Sequence, residues 1–265
     1  MVRPNSFFLI LILSLFTIQC SVFSEGKNTL FKRIPPSHSG IIFSNNLTPT
    51  EEFNMYTFRN FYNGGGVAIG DLNGDGLPDL FLTGNMVSNR LYLNKGNFEF
   101  EDITEVAGVG SYNVWSTGVS MVDINGDGLL DIYVAKSGPP EGEHRHNELF
   151  INNGDLTFTE RAEEFGLAEI GLSTHAVFFD YDGDGDLDMY LLNNSFNPVD
   201  GYEGIEGEAR RTVDPRGGSK LYKNNNGFFV DASQEAGIYS SRIGFGLSAS
   251  VGDLNRDGWP DLYIA

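Results

Sequence analysis

The sequence of 265 residues is poor in cysteine, in basic residues and in long hydrophobic runs. Its single cysteine, Cys20, excludes an intrachain disulfide and a cysteine-rich zinc site. Only 17 Lys and Arg stand against 36 Asp and Glu, which gives a formal charge of −19. Because phosphate binding needs clustered basic side chains, we expect no nucleic-acid partner. The 33 glycines and the abundant Phe and Tyr instead favour many short strands and tight turns.

The longest apolar run of the N-terminal region, Phe7 to Ile18, follows Arg3. It is shorter than the roughly 20 residues that cross a bilayer, so it predicts a secretory signal over residues 1–24. An alternative is a lipoprotein signal that ends before Cys20, which would carry a lipid anchor, although Gln19 stands where such signals usually have a small residue. Both routes predict an exported protein that is extracellular, at the cell surface or associated with the outer membrane.

Four acidic nonapeptides share the pattern Asp-x-Asn/Asp-x-Asp-Gly-x-x-Asp and begin at Asp71, Asp123, Asp180 and Asp253. The pattern offers side-chain oxygens at positions 1, 3, 5 and 9 and the backbone carbonyl of position 7, with glycine at position 6 for a sharp turn. Hard oxygen donors without His or Cys favour Ca²⁺ over zinc or copper. An apolar residue stands where an EF-hand has its bidentate Glu, so these loops join strands rather than helices.

The predicted calcium ligands are Asp71, Asn73, Asp75, Leu77, Asp79, Asp123, Asn125, Asp127, Leu129, Asp131, Asp180, Asp182, Asp184, Asp186, Asp188, Asp253, Asn255, Asp257, Trp259 and Asp261. Without a cation, so many neighbouring carboxylates would repel one another and lower stability. We therefore expect the ion to be structural rather than catalytic.

A second motif alternates with the acidic loops at residues 89–94, 147–152 and 219–224, and each copy precedes a Gly/Asn turn and an aromatic strand. With the apolar segments on either side of each loop, every repeat is predicted to have four short strands. This indicates an all-β fold, a β-propeller of four-stranded blades with calcium-binding loops, incomplete in this chain; a β-solenoid is the alternative. Most length variation falls between the acidic loop and the second motif, which predicts a binding face there.

The acidic loops resemble FG-GAP/VCBS repeats, the calcium-loop blades of integrin α-chain propellers. Residues 244–253 are similar to the Phe-Gly element of those repeats, and residues 62–71 and 89–96 resemble bacterial relatives of the cartilage acidic protein family, in which an ASPIC/UnbV module often follows. The resemblance implies calcium at the four loops, an exported, surface-associated protein and no well-defined catalytic residues.

The sequence predicts three segments: the signal at 1–24, an N-terminal segment at 25–60, and FG-GAP/VCBS repeats at 61–265 with the fourth repeat truncated. We expect an N-terminal fragment of a longer protein. The alternative is that residues 25–60 supply the missing strands and close a small propeller.

The predicted function is non-enzymatic: calcium-dependent binding of a protein or glycan ligand, as in adhesion. The long insertion of the third repeat offers Tyr202, Arg210, Arg211 and Arg216 as ligand-binding residues, because aromatics and arginines suit such contacts. The alternative is a polysaccharide-degrading enzyme of the lyase type, for which His144, His146 and Tyr202 are the candidate side chains.

Overall fold

The structure is a computed structural model that describes residues 30–112, 114–138, 145–196 and 212–265. The chain divides into two compact units, residues 1–35 and 36–265. The described residues of the first unit, 30–35, contain neither helix nor strand. Across the described ranges, the second unit holds every strand and three helices of four residues each.

The strands form four antiparallel sheets, and within each sheet the strands pair in chain order. Sheet 1 contains β1 (Val67–Gly70), β2 (Asp79–Leu82), β3 (Arg90–Asn94) and β4 (Phe100–Asp102); sheet 2 contains β5 (Trp115–Val122), β6 (Asp131–Ser137), β7 (Glu148–Asn152) and β8 (Phe158–Glu160); sheet 3 contains β9 (Leu172–Phe179), β10 (Asp188–Asn194), β11 (Lys220–Asn225) and β12 (Phe228–Asp231); sheet 4 contains β13 (Ala249–Gly252) and β14 (Asp261–Ile264). Three four-stranded meanders followed by a two-stranded sheet confirm the predicted all-β propeller architecture, and no sheet in the described ranges closes on itself.

The first strands of consecutive sheets approach one another closely at glycines. A Cβ atom on Gly66 would lie 2.7 Å from the carbonyl oxygen of Thr117, and one on Gly118 would lie 2.4 Å from that of Thr174. The Thr174 hydroxyl in turn donates to the carbonyl oxygen of Gly246, just before β13, at 3.2 Å. The inner strands β1, β5, β9 and β13 therefore follow one another from sheet to sheet, as the blades of a propeller do.

Apolar side chains fill the spaces between the sheets. Strand β6 is apolar on both faces because it contributes side chains to two of these cores. Ile132 and Val134 point into the core shared with sheet 1, whereas Tyr133 points into the core shared with sheet 3. This follows from the two-residue period of a strand that lies between two neighbours. The end sheets differ: Val67 and Ile69 of β1 are 60% and 64% exposed, and Tyr263 of β14 is 63% exposed.

The segment before β1 forms helix α1 (Pro36–Ser39) and then irregular structure. The described residues 30–66 contribute no strand to a sheet, so the alternative prediction that this segment supplies missing strands is wrong for that part of it. Instead, Phe53, Phe58 and Phe61 pack around Trp115, with ring centroids 5.0, 5.4 and 5.3 Å from the indole. Trp115 begins β5, so this aromatic cluster lies at the opposite end of the inner strands from the acidic loops.

The acidic stretches after the outer hairpins form the one-turn helices α2 (Thr104–Ala107) and α3 (Ala162–Phe165). Each ends at a glycine in the left-handed conformation, Gly108 with φ 74° and Gly166 with φ 76°. Glycine is favoured there because a Cβ atom makes this backbone conformation costly. Among the described residues, no helix has the length and apolar character that crossing a membrane requires.

Candidate metal centre

Each acidic loop connects the first two strands of its sheet and wraps its backbone around its first aspartate. In the first loop, Asp71 Oδ1 accepts the N–H groups of Gly74 and Asp75 at 2.9 and 3.2 Å, and Oδ2 accepts that of Gly76 at 2.8 Å. These donors, the Gly76 N–H above all, hold the pKa of Asp71 below its usual value. The carboxylate is therefore kept ionised and fixed in direction before any cation arrives.

The same bonds recur in the other loops, where the sixth-position glycine donates to the first aspartate. Gly128 donates to Asp123 Oδ2 at 2.9 Å and Gly258 donates to Asp253 Oδ2 at 3.0 Å. All four sixth-position glycines have φ between 83° and 96°, a conformation that side chains oppose. The predicted turn glycine is thus required by the backbone of every loop.

The ninth-position aspartates of the first three loops are interior residues that tie each loop to the outer hairpin of its sheet. Asp79, Asp131 and Asp188 are fully buried. Asp131 Oδ2 accepts the N–H of Ile124 within the loop at 3.2 Å, and Oδ1 accepts that of Asn152, the last residue of β7, at 2.8 Å. Burial raises the pKa of Asp131 to about 6. Each of these carboxylates therefore joins the acidic loop to the outer hairpin of the same sheet.

The third loop brings its acidic side chains closest together. Carboxylate oxygens of Asp180, Asp182 and Asp188 lie within 4.8 Å of one another, a separation at which one metal ion could contact all three. Asp182 Oδ1 and Asp186 Oδ1 are buried and have no hydrogen-bond partner. Burial, and then the neighbouring Asp184, raises the pKa of Asp186 to about 6. Buried acceptors without donors need a partner, and a hard cation fits them.

The residues of the other loops also fit a hard cation. In each of them an asparagine amide stands at position 3 in place of a carboxylate. Asn73 Oδ1 and Asp75 stand beside Asp71 in the first loop, where the Asn73 amide nitrogen donates to Asp75 Oδ2 at 3.0 Å. At position 7, Leu77 donates its N–H to Asp75 Oδ1 at 2.8 Å, a contact that fixes the direction of this peptide. Equivalent N–H contacts are made by Leu129 at 2.8 Å and Trp259 at 2.9 Å. Carboxylate, amide and carbonyl oxygens are the donors that calcium prefers.

Most of the residues predicted to bind an organic ligand or a lipid lie outside the described ranges: Tyr202, Arg210, Arg211, Cys20 and His144. Arg216 is described, and its guanidinium lies 4.9 Å from the ring centroid of Phe196. Arg145 lies 5.1 Å from the same centroid. Sequence reasoning missed the Phe196 contact because its partners come from insertions in two different repeats, which no local spacing connects.

Two clefts open near these features. One, of about 350 Å³, lies at the start of the inner strands and is lined by Trp115, His175 and the Gly64–Gly66 segment among others. The other, of about 480 Å³, lies between the second and third acidic loops, with Asp123, Arg161 and Asp186 in its wall. The second cleft thus lies between two candidate metal sites.

Consecutive four-stranded antiparallel sheets with an acidic, glycine-containing loop in each define a repeat protein of the β-propeller class. The model of the FG-GAP-like repeat matches residues 71–134, 137–191 and 212–264, so the chain belongs to this family. The matched segments include all four acidic loops and confirm the repeat identified from the sequence.

The curated proteins similar to this chain include cartilage acidic protein 1 and an integrin. Cartilage acidic protein 1 of Xenopus tropicalis is 27% identical over 226 residues, which is 85% of this chain and 31% of that protein. The human protein of the same name is 28% identical over 205 residues, 77% of this chain and 28% of its own length. Integrin alpha-8 of Gallus gallus is 29% identical over 128 residues, 43% of this chain and 12% of that protein. The chain thus spans less than a third of the length of these relatives.

Proposed function

We propose that this chain is an exported, calcium-binding repeat protein that binds a protein or glycan ligand and catalyses no reaction. The observation that carries the calcium assignment is the third loop, where three carboxylates meet within 4.8 Å and two buried carboxylate oxygens have no donor. The repetition of the same turn at Asp71, Asp123 and Asp253 supports extending the assignment to four sites. The ligands of each site are the side chains and position-7 groups named in the sequence analysis.

Calcium would act here by joining the strands of each sheet. In sheets 1 to 3, a bound ion would neutralise the first aspartate and its loop neighbours while the ninth aspartate stays bonded to the outer hairpin, as Asp131 is to Asn152. If each site has a Kd of about 0.1 mM in about 1 mM free calcium, each ion stabilises the fold by about 1.4 kcal/mol. Several such sites together would match the whole stability of an ordinary domain.

The calcium assignment is tested by metal analysis and thermal unfolding of the 265-residue chain. We expect bound calcium in equilibrium dialysis against about 1 mM calcium, a lower Tm after chelation, and recovery on adding calcium but not zinc. Addition of Mg²⁺ to the calcium-loaded protein separates a specific site from charge screening. Mg²⁺ should displace little of the bound calcium, since it tolerates such flexible oxygen cages poorly. Equal Tm values with and without chelator, with no bound metal, would refute the assignment.

We place the ligand contact on the face that carries the insertions. Arg216 is exposed there and stacks on Phe196, and Tyr202, Arg210 and Arg211 belong to the same insertion. The similarity to proteins named integrin and cartilage acidic protein supports a protein ligand, and a glycan remains the second ligand class. Screening against immobilised extracellular proteins and glycans, with Arg216→Gln against Arg90→Gln as a matched surface control, tests this face. Loss of capture in both variants, or in neither, would contradict it.

The absence of catalysis is tested by incubation with acidic polysaccharides. We expect no unsaturated product, and product that depends on His146 or Tyr202 would instead establish the lyase alternative.

Export is tested by the mass of the mature N-terminus after expression in a bacterial host. A chain that begins at Glu25 indicates ordinary signal cleavage, a diacylated Cys20 indicates a lipid anchor at the cell surface, and an intact residue 1 contradicts export.

A further inference from the structure

The third acidic loop carries more negative charge than the other three. It contains five aspartates, whereas each of the others has three aspartates and an asparagine at position 3. The additional carboxylates are Asp182, in place of that asparagine, and Asp186, in place of an apolar residue or tryptophan. Like charges at this separation raise the free energy of the loop unless a cation lies between them.

A lysine from the outer hairpin forms an ion pair with one of these additional carboxylates. Lys223 lies on β11, at the position that Leu93 occupies on β3 and Ile151 occupies on β7. Its ammonium group is paired with the Asp182 carboxylate and lies 3.8 Å from Asp184 Oδ2. Asp182 and Asp184 are the position-3 and position-5 ligands of the proposed calcium site, so the ammonium group contacts two of the carboxylates that a metal ion would use.

We infer that Lys223 is an internal counter-ion that lowers the calcium affinity of the third loop and keeps this loop folded when calcium is absent. The inference rests on the proposed calcium function. A divalent ion entering the loop must take Asp182 away from the ammonium group or bind beside a positive charge, and either alternative weakens binding. Without calcium, the ammonium group offsets the repulsion among the five carboxylates. The first and second loops, with apolar residues at this position, have neither property.

The glycine at position 6 provides a separate reporter for each loop. The amide protons of Gly76, Gly128, Gly185 and Gly258 each bond to the first aspartate of their own loop, at 2.8 to 3.1 Å. Their ¹H–¹⁵N signals in the labelled 265-residue chain therefore follow the occupancy of the loops one by one during a titration with calcium chloride. The comparison is between the wild type, Lys223→Leu and Lys95→Leu.

Lys95→Leu is the matched control, because Lys95 follows β3, is half exposed and pairs with Glu101 at 3.6 Å rather than with a loop aspartate. We expect Lys223→Leu to lower the calcium midpoint of the Gly185 signal by about tenfold and to leave the other three midpoints unchanged. The calcium-free variant should also melt about 2–4 °C below the calcium-free wild type. Lys95→Leu should change neither quantity.

Two results would overturn the inference in distinguishable ways. If the four glycine signals respond to calcium but the Gly185 midpoint is the same in Lys223→Leu and wild type, Lys223 does not oppose binding and the calcium function stands. If none of the four signals responds in any of the proteins, the calcium assignment fails and the inference fails with it. Lys223→Gln, a second neutral substitution that leaves every proposed calcium ligand in place, should move the Gly185 midpoint in the same direction as Lys223→Leu and checks that the result is not caused by misfolding of one variant.

Discussion

The backbone N–H of Asn152, at the end of β7, donates to Oδ1 of Asp131, at the start of β6, over 2.8 Å. The same bond joins Asn94 to Asp79 and Asn224 to Asp188, also at 2.8 Å. The acidic loop and the second motif therefore recur together for a physical reason. The backbone N–H of the last residue of the second motif donates to the buried carboxylate of the last residue of the acidic loop. The Asn152 side chain adds donations to the carbonyl oxygens of Leu72, in the loop of sheet 1, and Leu130. One asparagine thus joins a loop, a hairpin and the neighbouring sheet.

Asn152→Ala is predicted to destabilise the protein by about 2 kcal/mol, because it leaves buried carbonyl groups without donors. Asn153→Ala, at the exposed neighbouring position, should cost well under 1 kcal/mol. Urea unfolding followed by tryptophan fluorescence measures both values. Equal losses in the two variants would show that the buried amide does not connect the sheets.

The repeat architecture was accessible from the sequence because its signals are local. The acidic nonapeptide, the glycine at position 6 and the apolar segments on both sides lie within a few residues of one another, so spacing alone located the first two strands of every sheet. The role of Asp131 as a buried acceptor was not accessible, because its partner Asn152 is 21 residues away in sequence. The Lys223–Asp182 pair was missed for the same reason, since the two residues lie on strands that only the folded hairpin brings together.

The segment before β1 shows a different limit of prediction. Its phenylalanines, Phe53, Phe58 and Phe61, are spaced neither as a strand nor as a long helix, so periodicity gives no element for them. They are ordered by a tertiary partner, Trp115, which belongs to sheet 2. The conformation of this segment is therefore set by the burial of its aromatic rings against sheet 2 and not by local preference.

Gly118→Ala is predicted to destabilise the protein by about 3 kcal/mol. The new methyl group would lie 2.4 Å from the carbonyl oxygen of Thr174 and 3.0 Å from the Cα atom of His175, both of which are backbone atoms that cannot turn aside. Gly252→Ala is the control, since a Cβ atom there has no neighbour within 4 Å. Thermal unfolding of the two variants compares them, and a Tm for Gly118→Ala at or above that of Gly252→Ala would contradict the close approach of β5 and β9.

Glu148→Gln is predicted to cost about 3 kcal/mol, far more than Glu101→Gln. Glu148 pairs with Lys136, whose side chain is 2% exposed, and also accepts the hydroxyl of Ser111 at 2.5 Å. Removing one charge of a buried pair leaves the other without compensation, whereas the exposed Lys95–Glu101 pair contributes little. A double-mutant cycle with Lys136→Met measures the coupling. Recovery of stability in the double variant is expected, and an additive loss would exclude a coupled pair.

Protonation of His175 is predicted to lower the free energy of unfolding as the pH falls. Burial lowers the pKa of His175 below its usual 6.5, and its Nδ1 lies 3.3 Å from the backbone N–H of Ala249, which it can accept only when neutral. The native state therefore binds fewer protons than the unfolded state at this residue, so its contribution to stability is complete above pH 6.5 and is lost as the pH falls through the lowered pKa. His175→Asn should remove this part of the dependence of unfolding free energy on pH, whereas the exposed His38→Asn should retain it. Urea midpoints between pH 7.5 and pH 5 measure the slope, and identical slopes for wild type and His175→Asn would contradict the prediction.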